Sequence, residues 1–223
     1  MTVIYEDNHI IVVNKTGSEI VQGDKTGDTP LSETVQLYLK EKYGKPGNVF
    51  IGVVHRVDRP VSGLVIFSKT SKALSRLNEM FKNGEIKKIY WAVVKNQLKE
   101  FEGELVHYLT RNEKENKSYA RDKEVPNSKK AILHYKLIGH SQNYHLLEIE
   151  LKTGRHHQIR CQLAKTGCPV KGDLKYGFPR SNPDGSICLH ARRISFIHPV
   201  SKELIELEAP VPEGTLWAGF EML

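Results

Sequence analysis

The chain has 223 residues, 39% of them apolar, with 33 Lys/Arg against 26 Asp/Glu for a formal net charge of +7. That length can bury a substantial core, and the positive balance suits an anionic partner such as nucleic acid. No apolar run reaches the roughly 20 residues of a membrane-spanning helix, and three cysteines (Cys161, Cys168, Cys188) are too few and too odd for a disulfide framework.

Residues 2–14 read as a hairpin, with Val3-Ile4-Tyr5 and Ile10-Ile11-Val12-Val13 flanking a polar turn. The spacing of Leu31, Val35, Tyr38 and Leu39 predicts a helix over residues 30–43, capped by Thr29 with Pro30 at its first position. Short apolar strands are expected at 50–54 and 64–67, and a second helix at 71–82 carries Leu74, Leu77, Met80 and Phe81 before a stop at Gly84. Residues 86–94 alternate as a strand, setting Ile89, Trp91 and Val93 against Lys88, Tyr90 and Ala92.

The stretch 111–130 holds seven Lys/Arg and four Asp/Glu with few apolar residues, and reads as a solvated loop or ragged hairpin. Further strands are expected near 131–138, 144–151, 192–197 and 203–208, with a helix from Gly154 to about Gly167. Aliphatic strands recur at both ends and no Pro/Gly/Ser-rich linker divides them, so residues 1–223 are expected to form a single domain. Strands interleaved with about three helices predict the α+β class with a mixed sheet. The N-terminus MTVIYEDNH has no basic segment followed by an apolar one, which argues against a secretory signal. With the sparse cysteines, this leads to an expectation of a cytoplasmic protein.

Two segments carry the chemistry. The first is His55-Arg56-Val57-Asp58-Arg59-Pro60-Val61-Ser62-Gly63-Leu64; the second, about a hundred residues later, is Leu151-Lys152-Thr153-Gly154-Arg155-His156-His157-Gln158-Ile159-Arg160. They resemble the paired motifs H-R-L-D-x-x-S/T-G-L and T-G-R-x-H-Q-I/L-R of the RluA family of pseudouridine synthases. The likeness extends to the hairpin at residues 7–15, to Lys88-Ile89-Tyr90-Trp91-Ala92, to the loop from Gly167 to Asp173 with Tyr176-Gly177, and to Leu189-His190-Ala191 and Ile197-His198-Pro199. Matching segments run from about residue 3 to residue 212.

The resemblance implies a pseudouridine synthase fold: a long, mostly antiparallel sheet with flanking helices and a central active-site cleft. It implies isomerisation of specific uridines to pseudouridine in structured RNA, with large-subunit ribosomal RNA favoured and transfer RNA the alternative. Asp58 takes the place of the catalytic carboxylate, Arg160 of its ion-pair partner and Tyr90 of the residue lying against the base. Arg56 matches the side chain that displaces the target base. Ile159 and Leu64 are expected to line the uracil pocket, and Arg155 is among the residues expected to meet RNA phosphates. Like the short branch of the family, the chain is expected to lack a separate N-terminal RNA-binding module and to act as a monomer.

The isomerisation is redox-neutral, so neither cofactor nor metal is expected. Departures from the family wording include Thr16 after Asn14-Lys15, Pro60-Val61 in the aspartate loop, His156, Gln162 and Lys171. These bear on which RNA is bound more than on the reaction. Two other readings are weighed. His157, Cys161, Cys188 and His190 could supply zinc ligands for a zinc-dependent enzyme, though no C-x-x-C or H-E-x-x-H accompanies them. A catalytically idle RNA-binding protein would keep the scaffold, yet it would usually have lost Asp58, Arg160 or Tyr90.

Overall fold

A computed structural model describes residues 1–221. The α+β class expected from the sequence is the one observed, with two compact units. One comprises Met1–Lys87 and Ala191–Pro210; the other comprises Lys88–His190 and the described residues from Val211 onward.

In the first unit, β1 (Thr2–Glu6) and β2 (Ile10–Lys15) form the expected hairpin, and β2 pairs antiparallel with β4 (Ser62–Ser68). The short β3 (Gly52–Val53) adds to β4, and within this unit β4 also neighbours β10 (Leu189–Ile197). The strand β11 (Leu204–Glu208) pairs with β10. β2 and β4 are buried along nearly their whole length, which explains why they read as continuous aliphatic runs rather than alternating ones. Ile10 and Val12 of β2 join Leu64 and Ile66 of β4 in a core that helix α2 (Ser71–Asn83) closes with Ala73, Leu77 and Met80. Thr70 caps α2 through the amide of Ala73, and Gly84 ends it in the left-handed conformation, as predicted. Helix α1 (Leu31–Lys42) starts later than expected: Pro30 is its extended N-cap residue, and no side chain caps it.

In the second unit the strand order is β5 (Lys87–Val94), β9 (His145–Leu151), β8 (Lys129–His140), β6 (Glu102–Asn112), β7 (Lys117–Arg121), paired antiparallel throughout. Within the stretch 111–130, the end of β6 and β7 form a hairpin, the second of the two expected readings, and exposed turns at 113–116 and 122–128 join it to β8. The end of β6, all of β7 and the start of β8 alternate charged residues outward with Leu109, Ser118, Ala120 and Ala131 on the inner face. Helix α3 is shorter than expected, Gln158–Lys165, and residues 154–157 form a turn before it. A 3-10 turn (Leu174–Tyr176) and helix α4 (Thr215–Glu221) were not anticipated; Trp217 and Phe220 of α4 pack with Val93, Leu146 and Cys188. Among the described residues, no helix is long and apolar enough to cross a membrane.

Candidate functional site

The Asp58 loop joins β3 to β4 in the first unit and is braced at both ends. On the N-terminal side, His55 Nε2 accepts a hydrogen bond from the Ile66 amide at 2.9 Å, and its ring stacks on Phe81 of α2 with centroids 4.7 Å apart. On the C-terminal side, the Lys15 ammonium donates to the carbonyl oxygens of Thr16 (2.8 Å), Arg59 (3.0 Å) and Val61 (2.6 Å). Lys15 is only 1% exposed, and its burial pulls the ammonium pKa down to about 8. Between these anchors the Val61 amide donates to the Asp58 carbonyl at 3.0 Å, closing a tight turn. Arg59 reaches the other way, to Asp28 and to Thr26 Oγ1.

The Ser-Gly of the aspartate motif has a steric cause. Gly63 sits at φ +111°, and a Cβ there would lie 2.4 Å from the Ala191 carbonyl oxygen on β10. Only glycine permits both that conformation and that approach. In the row of expected site residues, Asp58 is half-buried and Arg56 is exposed beside it. Leu64, offered as a pocket residue, is part of the core described above.

In the second unit, Tyr90 is half-buried in the middle of β5, opposite Ile149 of β9, which in turn faces Tyr135 of β8. Alternation along β8 puts Tyr135, Leu133 and Ala131 on one face, and α3 packs on that face through Cys161 against Ala131 and Leu109. Tyr90 thus shares a sheet face with the helix that carries Ile159 and Arg160. Lys88 precedes it on the same face, and burial lowers its pKa.

The turn before α3 explains much of the T-G-R-x-H-Q wording. Gln158 Oε1 accepts from Thr153 Oγ1 at 2.8 Å and from the Arg155 amide at 3.0 Å, while its Nε2 donates to the Ile132 carbonyl at 3.0 Å. Thr153 Oγ1 also receives the Ile132 amide at 2.9 Å, so these two side chains rivet the turn to β8. His157 takes the left-handed N-cap position at φ 52°, and its Nδ1 shares a hydrogen bond with the Tyr176 hydroxyl at 3.0 Å. Arg155 is exposed, with its Nε donating to the Lys130 carbonyl at 3.0 Å.

Arg160 is 5% exposed and makes a two-pronged pair with Asp173, itself 1% exposed: Nε to Oδ2 at 2.6 Å and Nη2 to Oδ1 at 2.9 Å. The guanidinium carbon stands 5.1 Å from the centre of the Tyr176 ring. Asp173, the last residue of the Gly167–Asp173 motif, is thus the partner the structure gives to Arg160. The signal was present, because a charged residue between two glycine turns needs a partner if it is buried. Ile159 is buried next to Arg160. Arg192 and Arg193, whose charge suits a phosphate track, both approach Glu208, at 2.7 and 3.9 Å.

Of the residues weighed as zinc ligands, His157 bonds Tyr176, Cys161 donates to the Ser118 carbonyl at 3.2 Å, and Cys188 accepts from Asn182. Among the described residues no group of three or more His, Cys, Asp or Glu is arranged to hold a metal ion.

Residues 9–165 match the sequence profile of a family described as RNA pseudouridylate synthase. The chain is 33% identical over 217 residues to the RNA pseudouridine synthase YlyB of Bacillus subtilis, covering 96% of this chain and 70% of that protein. It is 31% identical to the RNA pseudouridine synthase slr1629 of Synechocystis, over 95% of this chain and 66% of the relative. It is 32% identical to the ribosomal large subunit pseudouridine synthase D of Neisseria meningitidis serogroup A, over 96% of this chain but 59% of the relative. Among solved structures, human RNA pseudouridylate synthase domain containing 4 superposes with a TM-score of 0.80 at 18% identity, over 99% of this chain and 92% of that one.

Proposed function

The chain belongs to the RNA pseudouridine synthase family, and we propose that it converts specific uridines of structured RNA to pseudouridine, with large-subunit ribosomal RNA as the substrate. The choice of RNA is supported by the relative from Neisseria meningitidis, whose name places its activity on the large ribosomal subunit. In this reading the protein acts as a cytoplasmic monomer.

The reaction breaks the bond from N1 to C1′, turns the uracil and joins C5 to C1′; C5 gives up a proton and N1 gains one. It needs a carboxylate at the sugar and base, a pocket that retains the detached uracil, and a means of drawing the nucleotide out of its stack. Asp58 supplies the carboxylate and Arg160 is its cationic partner. Tyr90 stacks on the uracil, Ile159 and Leu64 belong to the apolar surround, Arg56 fills the space the base vacates, and Arg155 meets phosphate.

One observation carries the proposal. The Asp58 turn is held at both ends by side chains bonded to backbone groups, His55 to the Ile66 amide and Lys15 to the Arg59 and Val61 carbonyls, which suits a carboxylate that must be fixed against a reacting atom. The test is pseudouridine mapping of total RNA from cells carrying the wild type, a deletion or Asp58→Asn. Loss of the same ribosomal uridines in both mutants supports the reading. Loss confined to transfer RNA moves the substrate to that class, and unchanged maps together with an inactive purified protein refute the activity.

A further inference from the structure

Arg160 poses a physical problem that its catalytic assignment leaves open. It is a long, rotamer-rich cation in the first turn of α3, almost wholly withdrawn from water. Such a side chain is expensive to bury and to order, and a buried ion pair stabilises a fold no better than well-packed apolar residues. Yet two neighbours are committed to fixing it. Asp173 grips the Nε–Nη2 edge with both oxygens, at 2.6 and 2.9 Å. The guanidinium carbon stands over the face of the Tyr176 ring, 5.1 Å from its centre. Tyr176 is in turn immobilised through its hydroxyl, which accepts the Ser118 amide of β7 at 2.8 Å and bonds His157 Nδ1 at 3.0 Å.

The backbone beneath the carboxylate is equally constrained. Gly172 sits at φ +89°, where a Cβ would meet the Ser186 carbonyl oxygen at 2.9 Å, and the Asp173 carbonyl accepts the Tyr176 amide at 3.1 Å in the 3-10 turn that delivers Tyr176. A two-point grip on one edge, with a fixed ring beside the group, restricts a planar group's orientation, so these two residues set where Nη1 points.

We propose that Asp173 and Tyr176 are positioning residues for the isomerisation, orienting the Arg160 guanidinium rather than serving the fold alone. The proposal rests on the reading of Arg160 as the partner of the catalytic carboxylate. Asp173 then acts on the reaction only through Arg160, which gives a signature that a structural role does not share.

The test uses the full chain and RNA from the deletion strain labelled with tritium at uridine C5, whose release reports the reaction. Wild-type release is measured first; if there is none, the parent reading fails. With an active wild type, Asp173→Asn is expected to lower the single-turnover rate at saturating RNA by roughly 10- to 100-fold, the scale of a misplaced group near the chemistry, with half-saturation within about twofold. In an Arg160→Lys background the same change is expected to cost less than about twofold more, because the geometry it protects is already lost. Tyr176→Phe, which keeps the ring and drops the hydroxyl, is expected to lose rate without losing RNA affinity.

A wild-type rate in Asp173→Asn would overturn the proposal, as would a loss confined to half-saturation or losses that multiply fully in the double variant. If Asp173→Asn does not fold, Asp173→Glu keeps the charge on a longer arm and Tyr176→Phe keeps the packing. Wild-type rates in the folded member of that pair would overturn the proposal, and a lowered rate with unchanged RNA affinity would support it.

Discussion

The Lys15 ammonium lies 2.6 Å from the carbonyl oxygen of Val61, at the exit of the Asp58 turn, and this contact ties the end of β2 to the loop that carries the catalytic candidate. The register of the sheet makes it available, since Lys15 stands opposite Gly63, two residues past Val61. A methionine there fits the space but donates nothing. Lys15→Met is expected to lower stability by about 1–3 kcal/mol, the cost of stranding buried carbonyls less the relief of not burying a charge. The pH dependence identifies the cause. Folding depresses the Lys15 pKa from 10.5 to about 8, so between those values the unfolded chain holds a proton that the folded chain has released. Wild-type stability therefore gains from this group as pH rises through that window, and the gap to Lys15→Met is expected to widen. Urea unfolding of both proteins at pH values below and within the window checks this; a constant gap refutes it.

Gly63 gives a sharper steric prediction. A methyl group at this position would collide with the Ala191 backbone at 2.4–2.7 Å, on a strand that cannot retreat without breaking its pairing with β11. Gly63→Ala is expected to cost about 3 kcal/mol or more, combining the clash with the left-handed strain. Thermal unfolding should show a large drop in midpoint or loss of soluble protein. Gly154→Ala is the control, because a Cβ there meets nothing nearer than Lys88 Nζ at 3.9 Å.

These two glycines show what was legible in the sequence and what was not. Aliphatic patterning located β1, β2, β4, β5 and helix α2 because their burial follows their own local period. Asp58, Arg160 and Tyr90 stood out because each lies in a motif with few alternatives. What the pattern hid was long-range. The strand β6 alternates Leu105, His107 and Leu109 with Glu104, Val106 and Tyr108, a mixture whose inner face is visible only once α3 lies on it through Gln162 and His107. The stretch after residue 111 looks solvated because its outward side chains outnumber the small inward ones, Ser118 and Ala120. Asp173 is the intermediate case: a carboxylate between two glycine turns signals a need for a partner, but that partner is Arg160 on another element, and no local spacing encodes the meeting.

Glu6 supplies a test of stability at acid pH. Burial alone would raise its pKa, but hydrogen bonds from Lys42, Lys69 and Tyr43 outweigh that and hold the carboxyl at about 2. A carboxylate whose pKa falls on folding contributes stability above its unfolded value near 4.5, and that contribution is lost as pH drops toward 2. Discounted for the partial exposure of Lys42, the contribution at neutral pH is about 2 kcal/mol. Glu6→Gln is expected to lose about that much at pH 7, while its stability falls less steeply than the wild type's through the acid range. Parallel unfolding curves for the two proteins across that range would refute the assignment.

Arg160 and Asp58 should separate fold from chemistry. Removing the Arg160 side chain leaves the Asp173 carboxylate, 1% exposed, without the two hydrogen bonds that compensate its burial. Breaking a buried pair in this way costs roughly 3–5 kcal/mol, so Arg160→Ala is expected to be strongly destabilised as well as inactive. Asp58 sits half-buried at a turn whose closing bond uses its backbone carbonyl, and the flanking anchors fall on His55 and Lys15. Asp58→Asn preserves the size and the backbone bonds, so its urea midpoint is expected to stay close to the wild type's while tritium release from uridine C5 disappears. A strongly destabilised Asp58→Asn would mean that the carboxylate serves the fold. An Asp58→Asn variant with full activity would remove it from the reaction and leave the braced turn without a chemical purpose.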